Sequence, residues 1–317
     1  MSQTRILITG GTGWVGSNAL RALQQQGHDI VAVTRSATDL HGVRTERICA
    51  DDADGKWPDA LRNRQLVLHL AARVHVMKET TAHPLQAFRE VNTHATLNLA
   101  KQAAAAGVRR FVFVSSVKVN GEATEEGAPF TASDVPAPQD PYGISKMEAE
   151  QGLREIAEHT GMEVVIVRPP LVYGPGVKAN FASLMRAVQR GIPLPLASVT
   201  GNRRSLVALD NLVDLLITCI DHPAAANQTF LVSDGEDLST ADLLRRLGQA
   251  MHQPARLFPV PPSLLQLGAR LLGKGAVAQR LLGNLQVDIS HTRNTLNWSP
   301  PISVDEGLRR AAAGLKS

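Results

Sequence analysis

The N-terminal stretch constrains the fold more than any other part of the chain. Ile6-Leu7-Ile8-Thr9 is a short apolar run that reads as a buried strand. Gly10-Gly11-Thr12-Gly13-Trp14-Val15-Gly16 follows at once, and residues 17–26 then carry apolar side chains at helical spacing. In a strand–turn–helix setting, glycines at 10, 13 and 16 each have a physical task. They permit a tight turn, close approach of backbone to a pyrophosphate, and close packing of helix on strand. The helix start adds unpaired N–H groups and partial positive charge facing phosphate oxygens. The pattern predicts a dinucleotide cradle formed by Gly10, Thr12, Gly13, Trp14, Val15 and Gly16. A glycine-rich turn with no ligand is the plainer alternative.

Strand-like and helix-like segments alternate from there. Residues 29–33 form a second strand that ends in Thr34-Arg35-Ser36. Folds that prefer NAD carry an acidic residue at this point for the ribose 2′-hydroxyl. Arg35 and Ser36 suit a 2′-phosphate instead, which favours NADP(H) over NAD(H), unless Arg35 is a solvated loop cation. A third strand over 44–50 leads to Asp51-Asp52, with Asp51 placed beside the adenine or in a solvated loop. A fourth, over 65–72, ends in Leu70, Ala71 and Ala72, small enough at its tip for a cofactor to lie close; Arg73, His75 and Lys78 come just after. A long helix is expected over 84–106, containing Asn92. A fifth strand, Arg110–Val114, runs into Ser115-Ser116, and a sixth covers Glu163–Arg168. This alternation predicts an α/β fold, a Rossmann-type doubly wound parallel sheet.

Between the last two strands lies the segment best suited to chemistry, Pro141-Tyr142-Gly143-Ile144-Ser145-Lys146. Four residues apart, Tyr142 and Lys146 share one helical face. A phenol ordinarily keeps its proton up to about pH 10, and a neighbouring ammonium favours the phenolate. The pair is thus suited to proton transfer near neutrality. Two surface side chains that happen to be four apart are the plain alternative.

Beyond Pro169 the alternation breaks down, and a smaller, mostly helical lobe is expected. The sequence suggests residues 1–169 with roughly 203–232 as the cofactor half, and 170–202 with 233–317 as the substrate half. The apolar stretch 263–285, with scattered Arg and Lys, reads as a core-facing helix pair, or as a surface that meets a membrane or partner. A net charge of +4 over 317 residues gives no reason to expect nucleic acid. The two cysteines, Cys49 and Cys219, suggest neither a disulfide scaffold nor a metal site. No signal peptide or membrane span is apparent, so the cytoplasm is the expected compartment.

Taken together, Thr9-Gly10-Gly11-Thr12-Gly13-Trp14-Val15-Gly16, Val91-Asn92-Thr93, Ser115-Ser116, Tyr142-Gly143-Ile144-Ser145-Lys146, Arg168-Pro169-Pro170-Leu171-Val172-Tyr173-Gly174-Pro175 and Leu296-Asn297-Trp298 resemble the extended short-chain dehydrogenase/reductases. The likeness runs through the whole chain and is to the nucleotide-sugar epimerases and reductases. Ala71-Ala72-Arg73-Val74-His75-Val76-Met77 and Ser115-Ser116-Val117-Lys118-Val119-Asn120-Gly121 carry a nearer likeness. It is to enzymes that reduce UDP-4-keto-6-deoxy-N-acetylhexosamines, giving UDP-N-acetylquinovosamine for surface polysaccharides such as O-antigen.

The resemblance implies Tyr142 as general acid/base, Lys146 on the nicotinamide ribose, and Ser116 bonded to the sugar O4. It also places Leu70, Ala71, Ala72, Asn92 and Pro169 at the cofactor, and His75, Lys118 and Asn120 near the sugar. For a UDP-sugar substrate it implies Asn180 and Arg203 at the diphosphate, with Arg204 a competitor and Arg280 completing the site. Homodimers are common among relatives. Two features depart from the 4-epimerase pattern: Leu171 stands where many carry asparagine, and an Arg-Pro-Gly-Asp signal is missing. The expected activity is NADPH-dependent reduction of a UDP-4-keto-6-deoxy sugar. An NAD-dependent UDP-hexose 4-epimerase is the alternative, and a non-catalytic dinucleotide sensor a remote one.

Overall fold

The computed structural model describes residues 3–36, 38–40, 42–48, 54–74 and 83–315. Its larger sheet contains β1 (Arg5–Thr9), β2 (Asp29–Thr34), β3 (Arg44–Arg47), β4 (Leu66–His69), β5 (Arg110–Val114), β6 (Glu163–Arg168) and, after a short strand β7 (Leu171–Tyr173) and β8 (Arg204–Ala208) elsewhere, β9 (Thr229–Leu231). The order is β3-β2-β1-β4-β5-β6-β9, and every neighbouring pair is parallel. The chain leaves β1 in one direction for β2 and β3, then crosses back to β4. The crevice outside the carboxyl ends of β1 and β4 is therefore the topological switch point where ligands bind in such sheets. This is the expected Rossmann-type α/β fold.

Parallel strands covered on both faces alternate their side chains between two cores. Ile6 and Ile8 point to one face with Val112, Val165 and Val167; there they meet Leu20 and Leu23 of α1 (Trp14–Gln25) and, further along the chain, Leu212 and Leu216. Leu7, Val67, Phe111, Phe113 and Ile166 point to the other. That face is covered by the four-residue α2 (Pro58–Leu61), α4 (Ala95–Ala105) and α5 (Pro141–Thr160), with α3 (Pro84–Arg89) packed against α5. The helix expected over 84–106 is interrupted by a π-helical turn, Glu90–His94, which holds Asn92. Such bulges are frequent at functional sites. β3 and β4 are shorter than the strands expected over 44–50 and 65–72, and residues 49 and 50 lie outside the described residues.

The ends of α5 follow from its sequence. Asp140 caps it, Oδ1 accepting from the Gly143 N–H at 2.7 Å; Pro141 occupies the first turn; and Gly161, at φ 74°, closes it in the left-handed region.

A three-stranded sheet, β10-β8-β7 with β10 at Asp237–Leu238, lies beyond. It packs with α6 (Ala179–Gln189), α8 (Thr240–Ala250) and α12 (Val304–Ala313) around Phe181, Met185, Leu206, Leu247 and Leu308. Segment 203–232 is thus divided: β8 belongs to this small sheet, whereas α7 (Leu209–Asp221) and β9 return to the large one. α11 (Ser290–Leu296) packs against β9.

The helices expected over 263–285 do form, as α9 (Pro262–Leu271) and α10 (Gly275–Leu282), but they face a core only along one edge, where Leu265 and Leu282 pack against Val188, Leu196, Val199 and Leu244. α9 has no buried residue, and in α10 only Ala278 is buried. Apolar periodicity identifies the stripe, yet no further layer among the described residues covers it.

Candidate active site

The glycine loop presses against the end of β4. A Cβ on Gly10, which sits at φ +71°, would stand 2.7 Å from the backbone nitrogen of Ala71, and one on Gly16 would collide with the Gly10 carbonyl. Only glycine permits this packing. Gly13 precedes α1 in extended conformation without a side-chain cap, and no acidic residue lies in the first turn. The helix start is thus free of competing carboxylates and suits an anion. Trp14 donates its indole N–H to the Pro175 carbonyl at 2.7 Å, which ties the loop to the segment after β7. Leu70, Ala71 and Ala72 follow β4 directly, and Pro169 follows β6, its carbonyl accepting from Val117 N–H. Arg35 and Ser36 are exposed just past β2. These residues fit a dinucleotide. Asp51 and His75, together with Cys49, Asp52 and Lys78, lie outside the described residues.

Tyr142 sits in the first turn of α5, half-buried, with the ring of Phe88 edge-on at 6.0 Å. A Cβ on Gly143 would stand 2.9 Å from the Lys118 carbonyl, so glycine lets α5 approach the short 3-10 turn Val117–Val119 that follows Ser116. Ser116 lies near enough to the phenol to favour its ionised form, and its Oγ accepts from Lys118 N–H at 3.2 Å. Lys146, one turn after Tyr142, is buried with Nζ 4.1 Å from the centre of the Phe113 ring. Burial lowers its pKa to about 7, against the attraction of Glu150.

One expectation needs correcting. The ammonium was to draw Tyr142 toward phenolate, but burial and the Asp140 carboxylate push the phenol up to about 12, with Ser116 opposing. Removing both groups from water disfavours both charged forms, and this outweighs their attraction. Within the chain alone Tyr142 is a proton donor.

Behind these groups lies a network that motif reading missed. Ser115 donates to Glu150 Oε1 at 2.6 Å. Arg168 donates to both oxygens of Glu150, at 2.9 and 2.6 Å, and to Asn120 Oδ1 at 3.0 Å. Ser115 is thus engaged beneath the site, while Ser116 faces Tyr142. Glu150 is legible in the sequence, because it continues the face of Tyr142 and Lys146 at four-residue spacing. Asn92 is also engaged within the chain: Oδ1 accepts from Arg73 N–H, and Nδ2 donates to the Arg73 carbonyl and to Ser145 Oγ. It joins the loop after β4 to α5. Below the cradle, buried His69 lies between Thr9 Oγ1 at 2.7 Å and Thr96 Oγ1 at 2.9 Å.

On the sugar side, Lys118 pairs with Asp140 at 2.5 Å and Glu122 at 2.8 Å. Asn120 is buried, its amide donating to the Thr131 carbonyl. Asn180 is exposed near the start of α6, and Leu171 is exposed at the start of β7. The two neighbouring arginines part company. Arg203 folds back onto the carbonyls of Thr200 and Asn202. Arg204 is half-buried and donates to the Gly283 carbonyl at 3.2 Å; burial first, then the charge of Arg280, lowers its pKa. Two guanidiniums that act on each other in this way suit an anion, whereas Arg203 is turned onto carbonyls of its own turn.

Residues 6–233 match the model of the NAD dependent epimerase/dehydratase family. The chain is 52% identical over 309 residues to a Vibrio cholerae protein named UDP-glucose 4-epimerase, covering 97% of this chain and 94% of that one. That likeness is to an epimerase rather than to the 4-ketoreductases suggested by the motifs. Among solved structures, UDP-glucose 4-epimerase from Thermotoga maritima with UDP-glucose has the same fold, with a TM-score of 0.78 at 21% identity, covering 98% of each chain. UDP-glucuronic acid 4-epimerase from Bacillus cereus with NAD also scores 0.78, at 19% identity, covering 99% of this chain and 97% of that one. From the glycine cradle through the Tyr142–Lys146 helix to the end of β9, the chain belongs to the NAD dependent epimerase/dehydratase family.

Proposed function

We propose that the chain is a UDP-hexose 4-epimerase that uses NAD(H). The observation that carries this reading is its 52% identity, over nearly the full length of both chains, to the Vibrio cholerae protein of that name. The reacting groups alone do not choose between epimerase and reductase, since both need a proton moved at O4. The bound dinucleotide would supply reversible hydride acceptance at C4 and, when oxidised, a positive ring that favours phenolate.

Everything else is work for the chain. Tyr142 takes the proton from the C4 hydroxyl and returns it, while Ser116 bonds O4 and holds it in line with the phenol. Lys146 sits under the cofactor ribose and supplies the positive charge that the phenolate needs. Arg204 and Arg280 grip the diphosphate and leave the hexose free to present either face.

Supplied with UDP-galactose and no added dinucleotide, the purified protein should yield UDP-glucose without net change in nicotinamide absorbance. No interconversion, together with stoichiometric oxidation of NADPH on addition of a UDP-4-keto-6-deoxy-N-acetylhexosamine, would replace this reading with the 4-ketoreductase. That second reading has one specific support: Arg35 and Ser36 stand where an NAD-preferring chain would carry an acid. Under it, Arg35→Asp shifts the ratio of kcat/KM from NADPH toward NADH, and an unchanged ratio removes Arg35 from the cofactor.

A further inference from the structure

The hairpin of α9 and α10 plays no part in the chemistry above. Leu264, Leu267 and Leu271 recur at intervals of three and four, which places them on one face of α9. All three are exposed, and the stripe runs on into Leu272 at the tip; Leu271 is 79% exposed and Leu272 72%. The hairpin is held to the body through partly buried Leu265 and Leu282, packed against the cluster of Val188, Leu196, Val199 and Leu244. Its outer face is covered by no other element among the described residues.

Charge indicates what covers it. No Asp or Glu occurs from residue 243 to residue 287, while Arg270 and Lys274 flank the exposed tip leucines. Nor does 259–287 contain a Phe, Tyr or Trp, the anchors that protein interfaces favour. Exposed leucines flanked by long cations without carboxylates match an anionic bilayer, where apolar side chains enter the acyl boundary and Lys and Arg reach headgroup phosphates. No helix among the described residues is long and apolar enough to cross a membrane, so the hairpin would lie on the surface. We propose that the α9–α10 hairpin docks the protein peripherally onto membranes that contain anionic phospholipid, through Leu271 and Leu272 and the cations Arg270 and Lys274.

The test is co-flotation of the full chain with vesicles of phosphatidylcholine alone or mixed with phosphatidylglycerol. The mixed vesicles should carry at least ~10-fold more protein than the neutral ones, and high salt should release it. L271E/L272E and R270E/K274E should each lose flotation while keeping the circular dichroism and thermal midpoint of the parent, since all four side chains are exposed. Absence of flotation, or undiminished flotation of both double variants, would overturn the proposal. So would light scattering in which L271E/L272E converts a dimer to a monomer, because the face would then belong to a second copy of the chain.

Discussion

Glu150 and Arg168 meet in a two-point ion pair, Nε to Oε1 at 2.9 Å and Nη2 to Oε2 at 2.6 Å, with neither side chain reaching solvent. Glu150 lies one turn beyond Lys146 on α5, and Arg168 ends β6. The pair also holds Ser115 and Asn120, on either side of the turn that begins at Ser116. Breaking a buried pair from one side leaves the other charge uncompensated. Arg168→Met should therefore destabilise the fold by about 3 kcal/mol in urea unfolding, the low end for such a change, because half-exposed Arg154 still reaches Glu150 at 3.0 Å. A variant as stable as the parent would show that the pair is not what holds this loop.

Tyr142→Phe removes one hydroxyl and leaves the ring on Phe88. Under the proposed function the hydroxyl moves the proton at O4, so turnover should fall by ~10²-fold or more while UDP affinity stays at the parental value. Steady-state rates combined with calorimetric UDP titration separate the two effects. Near-normal turnover would remove Tyr142 from the mechanism.

Some of this architecture can be read directly from the residues. Asp140-Pro141 at one end and Gly161 at the other delimit α5, because caps and left-handed glycines act locally. Gly10 and Gly16 announce their packing in the same way, and the four-residue step from Tyr142 to Lys146 suffices to put them on one face. What stayed hidden depends on contacts between segments far apart in sequence. Nothing local tells Arg203 from Arg204; the choice comes from Arg280, which approaches only when α10 folds back. The apolar stripe of α9 looks identical whether covered or bare. The phenol of Tyr142 was expected to be acidic from its neighbour four residues on, yet burial and Asp140 set its proton affinity.

His69 ties stability to acid. Its ring is buried between two threonines, and burial, with a smaller contribution from Lys146, lowers its pKa from 6.5 to about 3. The unfolded chain takes up this proton as pH falls through 6.5, whereas the folded chain does not until about 3. Between those values the unfolded state binds more protons, so this residue's contribution to stability declines as pH falls and is fully present only above 6.5. The whole effect is on the order of 5 kcal/mol. His69→Gln, which retains polar atoms for Thr9 and Thr96, should show a shallower loss of stability between pH 6 and pH 4 in urea titrations. Parallel curves for the two proteins would rule out His69 as the source.

Arg204 and Arg203 offer the sharpest test of the diphosphate site. Arg204 donates to the Gly283 carbonyl at 3.2 Å, and the charge of Arg280 acts against its own, so an anion bound to both would relieve a repulsion as well as forming hydrogen bonds. Arg203 spends its guanidinium on backbone carbonyls of its own turn. Hydrogen bonds to charged groups contribute about 1.5–3 kcal/mol. Arg204→Ala should accordingly weaken UDP binding by about 10- to 100-fold, whereas Arg203→Ala should change it by less than about 2-fold. Isothermal titration with UDP, repeated at raised salt, distinguishes them, because only the parent and the Arg203 variant should retain the steep salt dependence of a two-arginine anion site. If Arg203→Ala loses as much affinity as Arg204→Ala, the turn preceding β8 must open to bring Arg203 to the phosphates.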